Sequence, residues 1–340
     1  MSLTETKNTA SFVKRSWGQG SLTYVERELA SCLGSFSLDI IGCIGQYANE
    51  LRLVRTMPLD VNLKMRLRVN AVIAAHVLVN SKQQLVVISD NIHIYNIISG
   101  KILHVGDYSE NLTFVDVTID YATDVIYALV CGNKRHDSRG QRNTTRFLYK
   151  ILVSVATDGN RDDNMVSMEK MANITSECSD TDCIRHHNGY LYIAHAIAFH
   201  IYKITGTDIV YTGQFLQLSY GHGLGSLHVN LAIDPIDSSI YSWEHCTNAV
   251  RVFRPNAKTC EIWIERDVFS FSNMVVLSSQ HLVGLEQRIF ADTSVMLLQR
   301  DKWLLMDMFK PSPDMNILLV KDVADRVYFF DGIKMYVMVV

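Results

Sequence analysis

The chain has 340 residues, 48% hydrophobic and 20% charged, with a formal net charge of −3. A chain of this length can bury a sizeable core, as one large domain or two ordinary ones. Five prolines and 18 glycines exclude collagen and low-complexity disorder, and the near-neutral charge argues against a protein coated in nucleic acid.

Residues 1–20 contain no apolar core of a secretory signal and read as a disordered tail. The longest nearly apolar stretches, 38–44 and 71–79, fall well short of the ~18 residues needed to span a bilayer. Seven scattered cysteines without a C-x-x-C suit reduced thiols better than a disulfide framework. The sequons at Asn111, Asn143 and Asn173 would matter only in a secreted protein. The expectation is a soluble, cytoplasmic protein that does not enter the membrane.

Residues 21–50 have helical spacing, in segments 23–33 and 38–50. Leu38, Ile41, Ile44 and Tyr47 recur about every three residues and form one apolar stripe. Ser37 is placed to cap that helix, and Asp39 sits in its first turn, where the dipole favours an acid. The stretch FSLDIIGCIGQY at 36–47 resembles the first helix of an F-box. It departs from that pattern in having Phe36-Ser37 in place of Leu-Pro, and no Trp-containing later F-box helix follows. The resemblance implies that Leu38, Ile41, Ile44 and Tyr47 form a linker-binding helix for a Skp1-like partner. The alternative is an amphipathic helix packed against the rest of the protein.

From about residue 71 to 340 the sequence is a series of short apolar runs broken by Asp, Asn, Gly and Ser, which predicts strands joined by tight turns. The segments IDYATDVIY at 119–127 and IDPIDSSIY at 233–241 align without gaps. Segments 79–87, 184–192, 275–283 and 320–328 fit the same frame, so the units end at 87, 127, 192, 241, 283 and 328. A third strand with an aromatic follows most of them, at Tyr95, Tyr149, Tyr202, Phe253 and Tyr336. A fourth apolar run follows in several, for example 209–216 and 260–265. The predicted unit is a four-stranded antiparallel meander.

The phrase LAIDPIDSSIY at 231–241, followed by Val250-Arg-Val-Phe253, resembles an NHL or YVTN-type blade. The resemblance implies a mainly β fold: a six-bladed β-propeller of four-stranded antiparallel blades, with a short N-terminal helical segment. No unit carries the Gly-His and Trp-Asp marks of WD40 repeats. The alternative is another all-β repeat or a sandwich. The last unit offers only 316–320, 326–330 and 333–339 before the chain ends. Residues 51–70 are therefore expected to act as linker and ring-closing strand, with 63–69 favoured, because an open ring would expose a sheet edge.

Four features are candidate sites. The insert 133–146 carries Lys134, Arg135, Arg139, Arg142 and Arg146 against Asp137, so it can hold phosphates or an acidic segment. It lacks interleaved aromatics for stacking bases, so nucleic acid is not an expected partner. Asp158, Asn160, Asp162 and Glu169 occupy positions 1, 3, 5 and 12 of a calcium loop, but Asp163 stands where the turn needs Gly. The histidines at 186, 187, 195, 200, 222, 228 and 245 show no zinc spacing, and the glycine-rich 220–225 leads into a strand instead of a helix.

No nucleophile elbow, P-loop or kinase signature is present, and no catalytic residue or cofactor is assigned. On a propeller, the loops between second and third strands gather on one face with the inter-blade loops. Arg135, Arg139, Arg142, His222, Trp243, His245 and Arg288 would then form a protein-binding face. The expected function is a non-enzymatic protein–protein interaction scaffold, with a ubiquitin-ligase substrate adaptor as its most specific form. The rival is a metal-dependent propeller hydrolase of lactonase type using the central channel.

Overall fold

The computed structural model describes residues 52–58, 76–89, 91–97, 102–106, 112–131, 135–136, 142–143, 146–154, 165–174, 183–195, 198–206, 208–217, 229–244, 249–255, 260–265, 270–278, 281–287, 294–299, 302–306, 318–330 and 334–339. The expected tail 1–20, the helical segment 21–50 and the favoured closing segment 63–69 lie outside them. No helix among the described residues is long and apolar enough to cross a membrane.

The chain enters the described fold as β1 (Arg52–Pro58). One sheet follows from β2 (His76–Val79), β3 (Gln84–Ile88), β4 (Ile92–Asn96) and β5 (Ile102–Gly106). The next uses β6 (Thr113–Asp120) and β7 (Val125–Cys131), then β10 (Arg146–Ser154) and β11 (Met165–Ile174). Between these pairs lies a short ribbon of β8 (Arg135–His136) and β9 (Arg142–Asn143). The third sheet holds β12 (Cys183–His187), β13 (Tyr190–His195), β14 (Ala198–Thr205) and β15 (Asp208–Gln217). The fourth holds β16 (Val229–Ile233), β17 (Ile240–Glu244), β18 (Ala249–Phe253) and β19 (Glu261–Glu265). The fifth holds β20 (Ser270–Val276), β21 (Leu282–Gln287), β22 (Ser294–Gln299) and β23 (Lys302–Met306). Last come β24 (Leu318–Lys321), β25 (Val327–Phe330) and β26 (Lys334–Val339).

Each of the first five sheets is a meander in chain order, and the last is completed from the other end of the sequence, in the order β1-β26-β25-β24. β1 pairs antiparallel with β26, Arg52 opposite Val339 and Pro58 opposite Lys334. The outer strand of the last sheet is thus Arg52–Pro58, inside the 51–70 window but upstream of the favoured segment.

The first strands of the sheets touch in a closed circuit, β2 to β6, β12, β16, β20, β24 and back to β2. Six hydrophobic cores fill the junctions between neighbouring sheets. The circuit closes where Val77, Val79 and Tyr95 of one sheet pack on Tyr328, Phe330 and Val337 of the last. A sheet sandwiched on both faces needs nearly continuous apolar strands, and β7 (VIYALVC) is buried at every position. The architecture is a β-propeller of antiparallel four-stranded blades.

The turn from first to second strand repeats one device. An Asx side chain closes it: Asn80 Oδ1 accepts from Gln84 N at 2.8 Å, Asp120 Oδ1 from Ala122 N at 3.0 Å, Asp234 Oδ1 from Ile236 N at 2.8 Å and Asp322 Oδ1 from Ala324 N at 2.8 Å. The same turns place Gln83, Asp124, Ser238 and Asp325 in the left-handed region, at φ between 57° and 62°. The third sheet uses Asn188-Gly189, both with positive φ (48° and 76°), as a two-residue hairpin turn requires. This frame is the repeat detected in the sequence.

These turns also tie sheet to sheet. Asp124 accepts from Ser81 N at 2.8 Å and Ser81 Oγ at 2.6 Å. Asp325 accepts from the backbone N–H and the hydroxyl of Ser278, and His187 Nε2 contacts Ser238 Oγ at 2.7 Å.

Candidate functional site: the central channel

The six first strands each turn residues toward a central cavity of about 260 Å³. Leu78, Ile233, Val275 and Val276 make apolar wall, and polar groups come from β2 (His76), β6, β12 and β24. At one level Arg185 Nη1 donates to Asp116 Oδ2 at 2.6 Å, and its Nε donates to Leu231 O at 2.8 Å. Asp116 Oδ2 also accepts from Ile184 N at 2.9 Å, and Oδ1 from Val117 N at 2.9 Å. One ion pair therefore joins three consecutive sheets. A bulge in β6 between Phe114 and Asp116 accounts for the aim of that carboxylate, since an extra residue re-directs the side chains beside it. Burial disfavours the Arg185 charge, but Asp116 together with Cys183 and Tyr121 offsets it, and the guanidinium holds its proton more tightly than an isolated arginine.

The level next to the turns contains Thr118, His186, His187 and Lys321. Thr118 Oγ1 accepts from His186 N at 2.9 Å. Lys321 Nζ lies 3.3 Å from Asp325 Oδ1. Tyr121 reaches past the intervening sheet and donates from its hydroxyl to Lys321 O at 2.7 Å. Burial, with the nearby Asp322 and Asp325, pushes the Tyr121 phenol far above its ordinary value, so it stays a neutral donor. Burial lowers both His186 and His187, with Lys321 adding to the shift at His187. Both imidazoles are thereby biased toward the neutral form.

A second buried carboxylate differs from its counterpart in the last sheet. Asp322 spends Oδ2 on Arg326 Nε at 2.6 Å and Tyr328 OH at 2.9 Å. At the equivalent place Asp234 is fully buried, Ser239 stands where Arg326 would, and Oδ2 has no partner. Burial raises the Asp234 carboxyl above its ordinary value, only partly countered by the Ile236 and Asp237 N–H groups.

Few residues of the expected protein-binding face fall where the structure describes them. Arg135 and Arg142 lie on the β8–β9 ribbon, opposite Asn143 and His136 respectively. Arg139, His222, His245 and Arg288 lie outside the described residues. Trp243 does not belong to a surface: it is 2% exposed, packed with Ala232, Val250 and Met274 between two sheets. Neighbouring sheets cover both faces of β17, so Ile240, Tyr241, Ser242 and Trp243 are all buried. Arg146, read as part of the basic insert, is buried at the start of β10.

Of the proposed calcium loop, Glu169 is described: it is exposed inside β11, opposite Lys150. Asp158, Asn160 and Asp162 lie outside the described residues, as do Leu38, Ile41, Ile44 and Tyr47. Among the described residues no group of three His, Cys, Asp or Glu side chains could hold a metal.

The sequence reading missed the channel residues Asp116, Tyr121, Arg185 and Lys321. The usable signal was Asp116 and Thr118 at alternate positions of one first strand and the polar run Arg185-His186-His187 in the next.

No family model matches the sequence, and no curated protein matches it. Solved structures do. The PQQ-bound aldose sugar dehydrogenase of Streptomyces coelicolor superposes with a TM-score of 0.54 at 11% identity, over 85% of this chain and 98% of that one. A chain of the mitotic checkpoint complex superposes with a TM-score of 0.51 at 9% identity, over 86% and 93%. At such identities the likeness is one of fold alone: this chain is a β-propeller.

Proposed function

We propose that the chain is a non-enzymatic protein–protein interaction scaffold, built as a six-bladed ring of NHL-like repeats and working in the cytoplasm. One observation carries this reading. Asp116 is the one carboxylate among the described channel-lining residues, and both its oxygens are occupied by Arg185 and by two backbone N–H groups. A lactonase-type hydrolase needs several oxygen ligands with free lone pairs around a metal. The Asp116–Arg185 pair instead joins sheets, and the rims of a rigid ring offer the binding surface. That a chain of similar fold occurs in the mitotic checkpoint complex agrees with a role in protein assembly.

In this reading Arg135, Arg139 and Arg142 present charge to an acidic partner segment, beside His222, His245 and Arg288. The more specific form is a substrate adaptor whose 36–47 segment engages a Skp1-like linker through Leu38, Ile41, Ile44 and Tyr47.

The test is affinity purification from native lysate with wild type, Arg135→Glu/Arg139→Glu/Arg142→Glu and Leu38→Asp/Ile41→Asp, each checked for folding by circular dichroism. A specific partner lost with the triple charge reversal supports the scaffold. A Skp1-like protein lost only with the second variant supports the adaptor. No specific partner, together with a stoichiometric divalent ion in the purified protein, overturns the reading in favour of the metal-dependent hydrolase.

A further inference from the structure

Six large apolar side chains are exposed among the described residues: Leu152, Val210, Tyr211, Ile236, Ile262 and Val323. Leu152, Val210, Tyr211 and Ile262 lie on third or fourth strands of the second, third and fourth sheets. Val323 (53% exposed) and Ile236 (43%) instead crown the first-to-second-strand turns of the last and fourth sheets, with exposed Pro235 beside Ile236. The bonds from Ala324 N to Asp322 Oδ1 and from Ile236 N to Asp234 Oδ1 hold these two tips in place. The tips of the first and second sheets carry Ser81-Lys82 and Ala122-Thr123 instead. The central cavity reaches the same level, where Tyr121, Pro235 and Lys321 line it.

The chain enters its last sheet at this level too. Arg52 lies opposite Val339, Met338 opposite Val327 and Val327 opposite Lys321, so β1 begins at the turn end of the sheet. Three strand spacings, about 14 Å, separate that point from the first strand and the cavity. Residues 38–50 lead directly toward β1 and span about 20 Å as a helix. Their apolar stripe is therefore long enough to cross Val323 and reach the end of the cavity, where Pro235 and Ile236 stand.

From this arrangement we propose that residues 38–50 of this chain dock on the turn face, with Leu38, Ile41, Ile44 and Tyr47 covering Val323, Pro235 and Ile236 and closing that end of the cavity. The dock removes apolar surface from water on both partners. The other exposed apolar side chains are out of reach by comparison: the last sheet has the first and fifth as its ring neighbours, and these residues belong to the second, third and fourth. The adaptor reading gives the same four side chains to a linker protein, which would then bind only by lifting the segment off the ring. The dock itself does not depend on that reading.

The test is amide hydrogen exchange of the purified full chain, read by mass spectrometry over 38–50 and compared with a synthetic peptide of residues 36–50. No partner is present, so the outcome is independent of whether lysate yields a linker protein. Wild type is set beside Val323→Ser/Ile236→Ser and an outer-strand control, Val210→Ser/Ile262→Ser; circular dichroism checks that each folds. Exchange over 38–50 should be at least about tenfold slower in wild type and in the control than in the peptide. In Val323→Ser/Ile236→Ser it should be at least about tenfold faster than in wild type, and Leu38→Ser/Ile41→Ser should show the same loss from the other side of the contact. Peptide-like exchange in wild type, protection that survives the folded turn variant, or protection lost equally in the outer-strand control would overturn the proposal.

Discussion

Arg185 of β12 donates to Asp116 of β6 at 2.6 Å while its Nε reaches Leu231 O of β16, so one side chain fastens three neighbouring sheets. Their side chains are 23% and 19% exposed, so removing one partner strands a largely buried charge. Asp116→Asn or Arg185→Met should each cost about 3 kcal/mol in urea unfolding. Asp116→Leu/Arg185→Met should recover part of that loss, because no unpaired charge remains. A double variant as unstable as the sum of the singles would show that the two residues act independently.

The orphaned oxygen of Asp234 gives a pH prediction. Its carboxyl is raised in the folded protein, chiefly by burial, so the folded state holds that proton more tightly than the unfolded chain. Its favourable contribution is therefore present in acid and is lost as pH rises through the acid range toward the raised folded value. Asn keeps the Oδ1 acceptor for Ile236 N and removes the charge. Asp234→Asn should be more stable than wild type near neutral pH, and the advantage should shrink as pH falls toward the ordinary carboxylate range. Chemical denaturation across that range checks the sign, and an advantage that grew toward acid would contradict it.

The left-handed turn residues predict an order among substitutions. Asp124 sits at φ 57° and accepts twice from Ser81 of the neighbouring sheet. Asn tolerates that backbone region and keeps one acceptor, so Asp124→Asn should cost less than about 1 kcal/mol. Val loses both bonds and places a β-branched side chain at positive φ, so Asp124→Val should cost about 2 kcal/mol. Thermal melts of the two proteins would read the order directly, and equal losses would remove any role for the backbone conformation.

The sequence displayed the repeat because its frame is local. An Asx residue, a left-handed position and a β-branched second strand lie within nine residues of each other, as in 119–127 and 233–241. The need for a closing strand was legible from the count of runs after 316, but its location was not. Segments 52–58 and 63–69 have similar apolar and basic texture, and only the register against Lys334–Val339 separates them. The channel was invisible for a related reason. Asp116 meets Arg185 across 69 positions, and Tyr121 meets Lys321 across 200, contacts fixed by ring geometry and not by any spacing. Trp243 misled because residue type suggested an interface anchor, whereas β17 is covered by neighbouring sheets on both faces.

Closure of the ring by β1 is the central structural claim, and two chain lengths test it most directly: one beginning at residue 52 and one beginning at residue 59, which differ only by Arg52–Pro58. Removing β1 leaves β26 as an unpaired edge in a sheet that packs on both neighbours. The account predicts that the shorter chain melts several degrees lower, as one cooperative unit, and associates with rising concentration through the exposed edge. Identical melting curves and identical monomeric behaviour for the two lengths would contradict it.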